Sequence, residues 1–153
     1  MELSLSANDW LLLLQGLGMT LLLTVGALPV ALGLGTVLAV LRFEGPAWLR
    51  WGAVGYIEAL RSIPLLLFLF FMHYGILPLM GIRPHFVVSS LITFMLFEAA
   101  YLAEILRAGL RALHREEREA AISLGLSRWQ QLVLILLPLA YQRSLPALIN
   151  QLV

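Results

Sequence analysis

From Trp10 to Leu41 the chain carries no ionisable side chain. As a helix this run would be roughly 48 Å long, against a hydrocarbon core near ~30 Å. It is expected to span a bilayer with length to spare, by tilting, protruding or kinking, and Pro29 with its neighbouring glycines is the candidate kink. A second uncharged run extends from Ser62 to Ile82 and is broken toward its end by Pro78. A third begins near Phe86 and reaches Ala103, interrupted by Glu98 alone. After Trp129 the chain turns apolar again but holds Pro138, Arg143 and Pro146, a pattern that suits an interfacial helix leading into a fourth span.

The pattern predicts an all-α integral membrane protein, a multi-span transmembrane helix bundle in a single domain. Spans are placed at about 10–41, 62–82 and 86–106, an inward loop at about 107–130, and the start of a further span at about 144–153. The apolar pattern is still running at Gln151-Leu152-Val153 with no helix-stop signal, so the chain is expected to be truncated at its C-terminus. Runs of this length do not suit a membrane β-barrel, whose strands alternate polar and apolar residues over about ten positions. Nor does the first run suit a cleaved signal peptide. Its leader carries Glu2 and Asp9 and no Arg, and it far exceeds an h-region of about 7–15 residues.

Within the first run, Ala27, Ala31, Gly35 and Ala39 recur every four residues, and Gly16, Thr20 and Thr24 do so upstream. Such a stripe allows another helix to approach closely. Small residues are also simply common in membrane helices, and the sequence leaves both readings open.

Charge placement sets the expected orientation, because cytoplasmic loops collect basic residues. Arg42 and Arg50 lie between the first and second runs, and Arg107, Arg111, Arg115, Arg118 and Arg128 follow the third. Only Arg83 separates the second from the third, and none precedes the first. The N-terminus is therefore expected outside and the Arg-rich loop inside.

Composition agrees with a membrane protein: 61% of residues are hydrophobic and 12% charged, against about 45–50% and about 25% in soluble domains. With no cysteine, disulfides and thiolate metal sites are excluded. All ten basic residues are Arg. A phosphate-binding loop needs a Lys to reach the nucleotide phosphates, so ATP, if it is used, must be bound by another chain. His73, His85 and His114 are scattered without metal-ligand spacing, and neither a nucleophile elbow nor paired catalytic carboxylates occur within the spans. A membrane enzyme is poorly supported, and no nucleic-acid partner is expected.

The inward loop contains EREAAISLGLSRWQQLVLILLP. Glu116 to Leu124 suits a short helix, and Gly125 stands where a left-handed residue would end it. Ser127 and Gln130 form an S-x-x-Q capping box for the next helix. A helix–turn–helix tethered at both ends to spans is either a docking surface or a connecting loop.

This stretch resembles the loop of binding-protein-dependent ABC importer permeases, with the pattern EAA, three residues, G, nine residues, I-x-L-P. Glu119, Ala120, Ala121, Gly125, Ile135, Leu137 and Pro138 match it at every fixed position. IEALRSIPLLLFLFFMHYGILP around Glu58 and Arg61, AAYLAEILRAGL around Glu104 and Arg107, and LPALIN ending at Asn150 resemble the polar amino-acid subgroup. The resemblance implies a type I ABC importer permease fold in the bacterial cytoplasmic membrane. It also implies a loop seated on a cytoplasmic ABC ATPase, a second permease subunit, and an extracytoplasmic solute-binding protein. In that reading Gly125 permits the turn, Ala120 and Ala121 keep the docked face shallow, Glu119 offers a polar contact, and Pro138 stops the next helix at the membrane surface. Family members often carry Gly-Gln before the EAA element, where this chain has Glu116 and Glu117, so the lead-in is expected to be helical here.

Glu58 and Arg61, like Glu104 and Arg107, are three residues apart and share a helix face, as structural ion pairs or as gating pairs. Glu98 falls near the middle of the third span, where a charge costs roughly 2.5–3.5 kcal/mol on insertion scales. It is expected to face the bundle interior or water, with a hydroxyl or His73 as candidate partner and a substrate-path role in view. The leading function is thus a subunit of an ATP-driven importer of polar amino acids. The alternatives are a non-transporting membrane scaffold or truncated permease that only docks an ATPase, and a channel or secondary carrier.

Overall fold

The computed structural model describes residues 6–83 and 85–152, and these form helices without a strand. Helix α1 (Ala7–Glu44) is opened by a capping box in which Ser6 and Asp9 bond each other's backbone N–H, and it runs through Pro29 as one helix. It ends where Pro46 holds Gly45 in the extended region. Helix α2 (Ala47–Ser62) ends in the same way at Ile63-Pro64. Beyond that break come α3 (Leu65–Phe70), a π-helical turn (Phe71–Ile76) and α4 (Leu77–Leu79). Helix α5 (Phe86–Arg111) follows, then α6 (Arg115–Ser123), α7 (Arg128–Gln131), a second π-helical turn (Leu132–Leu136) and α8 (Leu137–Leu152).

Three helical stretches, Asn8–Glu44, Phe86–Arg111 and Arg128–Gln151, are long and apolar enough to cross a membrane. The segment expected as a span at about 62–82, broken toward its end by Pro78, breaks at its start. Pro64 offers no N–H and pushes Ile63 to φ −102°, ψ 135°, so the helix stops at Ser62. The arm Leu65–Leu79 then leaves at 107° to α2, a bend that suits either a broken span or a re-entrant loop. Helix α5 runs five residues past Leu106, into the stretch assigned to the inward loop.

Pro138 does not stop its helix, contrary to expectation. Helical structure continues from Arg128 to Leu152, beginning well before 144. The π-helical turn explains this, since it ends just before Leu137 and the Leu137 N–H reaches back five residues to Leu132 O. The wider turn shifts the carbonyls that the proline ring would meet in a regular helix. Pro78 follows its own π-helical turn in the same register, with Leu77 N–H bonded to Met72 O.

The core lies where α1 crosses α5. Ala27, Ala31 and Ala39 are buried, and a Cβ at Gly35 would stand 3.0 Å from Ala99 O and from Leu102 Cβ. The small-residue stripe is therefore a close-approach surface from Ala27 to Ala39, packed on Ala99, Leu102, Ala103 and Leu106. Its upstream members Gly16, Thr20 and Thr24 are exposed. Helix α8 packs antiparallel on α5 at an equally tight point, where a Cβ on Gly109 would lie 2.8 Å from Ala140 O. Polar groups cross between helices as well: Tyr56 donates to Leu96 O at 2.7 Å, Ser144 to Ile105 O at 3.3 Å, and Thr36 bonds Tyr141.

Candidate functional site: an exposed loop, an ion network and a cleft at Glu98

Helix α6 begins at Arg115, so Glu116 and Glu117 lie in its first turn as the sequence suggested. Glu117 Oε2 accepts the His114 N–H at 2.8 Å, and acidic residues there suit the positive end of the helix. Gly125 has φ +68°, the left-handed conformation that ends α6. The Ser127–Gln130 capping box then opens α7, with Ser127 N donating to Gln130 Oε1 at 2.9 Å and Gln130 N to Ser127 Oγ at 3.4 Å. Ala121 is buried, whereas Glu119, Ala120 and Gly125 face outward. A Cβ on Gly125 would meet nothing within 4 Å among the described residues. Around it Ile122, Leu124 and Trp129 are each more than 60% exposed, an apolar patch beyond the packed helices. Glu119 is paired along α6 with Arg115. Ile135 and Leu137 are half-buried along the following helix, and Pro138 is exposed.

Near the C-terminal ends of α1, α2 and α5, charged side chains meet in one network. Glu104 accepts from Arg107 Nε at 3.0 Å and from Arg42 Nη1 at 2.7 Å, and Arg61 Nη1 stands 4.0 Å away. The expected Glu104–Arg107 pair forms. Glu58 and Arg61 do not pair: Glu58 lies 3.5 Å from Arg42, while Arg61 sits over the Tyr101 ring at 5.4 Å. Each finds its partner on another helix instead: Glu58 reaches Arg42 at the end of α1, and Arg61 reaches the Tyr101 ring on α5. Arg107 Nη1 is buried with no hydrogen-bond partner among the described residues.

Glu98 is half-buried and accepts from Gln151 Nε2 at 3.1 Å. It borders a mainly apolar cleft of about 280 Å³ between α1, α5 and α8, lined also by Thr20, Leu23, Thr24, Ala27, Leu28 and Phe94. His73 is not its partner. The His73 Nδ1 bonds Ser89 Oγ at 2.7 Å, and its ring stands edge-on to Tyr74 and Phe86.

Residues 31–153, which include the whole loop and every residue of the ion network, match the family described as the binding-protein-dependent transport system inner membrane component. The chain belongs to this family. It is 39% identical over 147 residues to the glutamate/aspartate import permease protein GltK of Escherichia coli O6:H1 (strain CFT073), covering 91% of this chain and 65% of GltK. It is 38% identical over 137 residues to the probable amino-acid ABC transporter permease protein YckA of Bacillus subtilis (strain 168), covering 90% and 60%. Among solved structures it is similar to one described as the crystal structure of an amino acid ABC transporter with histidines. That likeness has a TM-score of 0.76 and 31% identity, over 88% of this chain and 62% of the other. The chain thus spans 65% and 60% of the two curated relatives.

As an inner membrane component with several apolar helices, the chain is a multi-pass membrane protein. The structure adds three residues to those singled out in this transport component's sequence. Arg42 had counted only toward orientation, although its position at the end of an uncharged run predicts a burial-driven search for carboxylates. Arg143 had counted as a polar interruption, and Gln151 as the end of the chain. None has a local spacing signal, because each finds its partner on another helix.

Proposed function

We propose that this chain is the membrane-spanning subunit of an ATP-driven, binding-protein-dependent importer of polar amino acids. The observation that carries the reading is the outward-turned α6–Gly125–α7 element. Its cap geometry is complete without a partner, yet it leaves Ile122, Leu124 and Trp129 uncovered. Such a surface suits the cleft of a cytoplasmic ATPase, which would bind and hydrolyse the ATP. Glu119, Ala120, Ala121 and Gly125 would form the docked face, with Ile135, Leu137 and Pro138 on the helix that carries its movement away. The cleft at Glu98 suits one wall of the translocation path, completed by a second permease subunit, with an external solute-binding protein delivering the substrate. The network around Glu104 would hold the cytoplasmic ends of the spans together, with Glu58, Arg61 and Arg107 as its members. The N-terminus would face outward. The amino-acid substrate class is supported by the glutamate/aspartate and amino-acid names of the relatives.

The test is reconstitution with an ATPase and a solute-binding protein from the same importer. Hydrolysis should rise when the binding protein carries its amino acid, and Glu98→Gln should alter uptake or substrate preference without changing assembly. ATPase docking with no uptake would favour the scaffold reading, and uptake without any ATPase would favour a carrier.

A further inference from the structure

Helix α6 lies outside the packed helices, and few of its residues touch them. Ala121 is buried, and among the described residues the ion pair of Glu117 with Arg143 ties α6 to α8. Arg143 stands on α8 and uses two arms of its guanidinium. Nη2 donates to Glu117 Oε1 at 2.7 Å, and Nη1 donates to the carbonyl of Ala112, the C-cap residue of α5. The other oxygen of Glu117 accepts the His114 N–H at the start of α6. One side chain therefore joins three helix segments: the end of α5, the beginning of α6 and the body of α8.

The chemistry suits each contact. The last carbonyls of a helix have no partner within it, and a cation there is favoured by the helix dipole. A carboxylate in the first turn of α6 is favoured for the opposite reason. Arg is planar and forked, so it presents two donors at a fixed angle; Lys carries the same charge as a point and cannot hold both partners in that geometry. Further along α8, eight residues beyond Arg143, Gln151 holds Glu98 at the cleft. A helix of about 12 Å, continuous through Pro146, thus connects the three-helix junction to the Glu98 cleft.

We propose that Arg143 is a positioning residue that locks α6 to α5 and α8, so that displacement of the docked loop passes into α8 and reaches the Glu98 cleft as rigid-body movement. The inference rests on the reading of α6–Gly125–α7 as an ATPase-docking element, and its first test does not. Because the chain has no cysteine, spin labels can be placed at Glu116→Cys on α6 and Asn150→Cys on α8 without background. In the purified chain in lipid nanodiscs, pulsed electron resonance should give one narrow distance. Arg143→Ala and Arg143→Lys should both broaden it, and Glu117→Gln, which keeps an acceptor oxygen, should broaden it less. An unchanged narrow distribution in Arg143→Lys overturns the lock, and this conservative variant keeps the test open should Arg143→Ala fail to fold. In the reconstituted importer, Arg143→Lys should still bind the ATPase while ATP hydrolysed per substrate imported rises several-fold, which a purely structural role would not produce. An unchanged ratio overturns the transmission role. Failure of the unmodified chain to hold an ATPase would count against the docking reading instead, and would leave the distance result standing.

Discussion

Glycine does opposite work at two positions of this chain. At Gly109 the missing side chain is what lets α5 and α8 touch, since a Cβ would stand 2.8 Å from the Ala140 carbonyl oxygen, a backbone atom that cannot swing aside. At Gly125 a Cβ would meet open space, and the glycine answers to its φ of +68° alone. Gly109→Val should therefore destabilise the folded chain by about 1–3 kcal/mol or more, the usual cost of overpacking. Thermal unfolding in nanodiscs would check this, and an unchanged midpoint would show that the α5–α8 contact is looser than described. Glu98 belongs at this scale too. Its position in an apolar run was legible, but its partner was not, because Gln151 lies more than fifty residues away on a helix whose approach no local pattern encodes. The same limit hid Arg42 from view as the second strong partner of Glu104.

At the scale of elements, prolines decided where the sequence reading held and where it failed. Pro46 and Pro64 each push the preceding residue into extended backbone and end a helix. Pro78 and Pro138 do not, because each follows a π-helical turn that widens the helix ahead of the ring. A residue pattern carries no signal for that extra backbone register, so the continuation through Pro138 was missed. Caps, by contrast, are local chemistry, and the Ser127–Gln130 box and the left-handed Gly125 were readable directly. If the ring of Pro138 is what holds the π-helical turn, Pro138→Ala should let residues 132–136 relax to α-helical spacing. One residue of register rotates the segment by about 100°. Leu132, 1% exposed in the core beside Leu110 and Leu136, would turn outward. A cysteine at Leu132 should resist a maleimide in the parent chain and react after Pro138→Ala. Continued protection would assign the π-helical turn to packing rather than to the proline.

For the whole molecule, the proposed orientation and the docking loop stand or fall together, since a loop on the external side of the membrane cannot meet a cytoplasmic ATPase. Arg placement predicts that a single cysteine at Arg83 reacts in intact cells with an impermeant reagent, and that one at Arg115 reacts only after permeabilisation. The reverse pattern would overturn the orientation. The apolar runs were enough to read the bundle as all-helical, because burial in lipid depends on composition and length. The 107° turn of the second segment and the inter-helix ion network depend on how separate helices meet, which one sequence does not display. The most direct measurement is co-purification of the ATPase with Gly125→Val. Within the chain this change costs only the left-handed backbone, about 1–2 kcal/mol, and touches no packed helix. The protein should insert and fold normally yet lose most of the retained ATPase, because the turn and the docked surface no longer fit. Full retention of the ATPase with normal coupling in Gly125→Val would contradict the account.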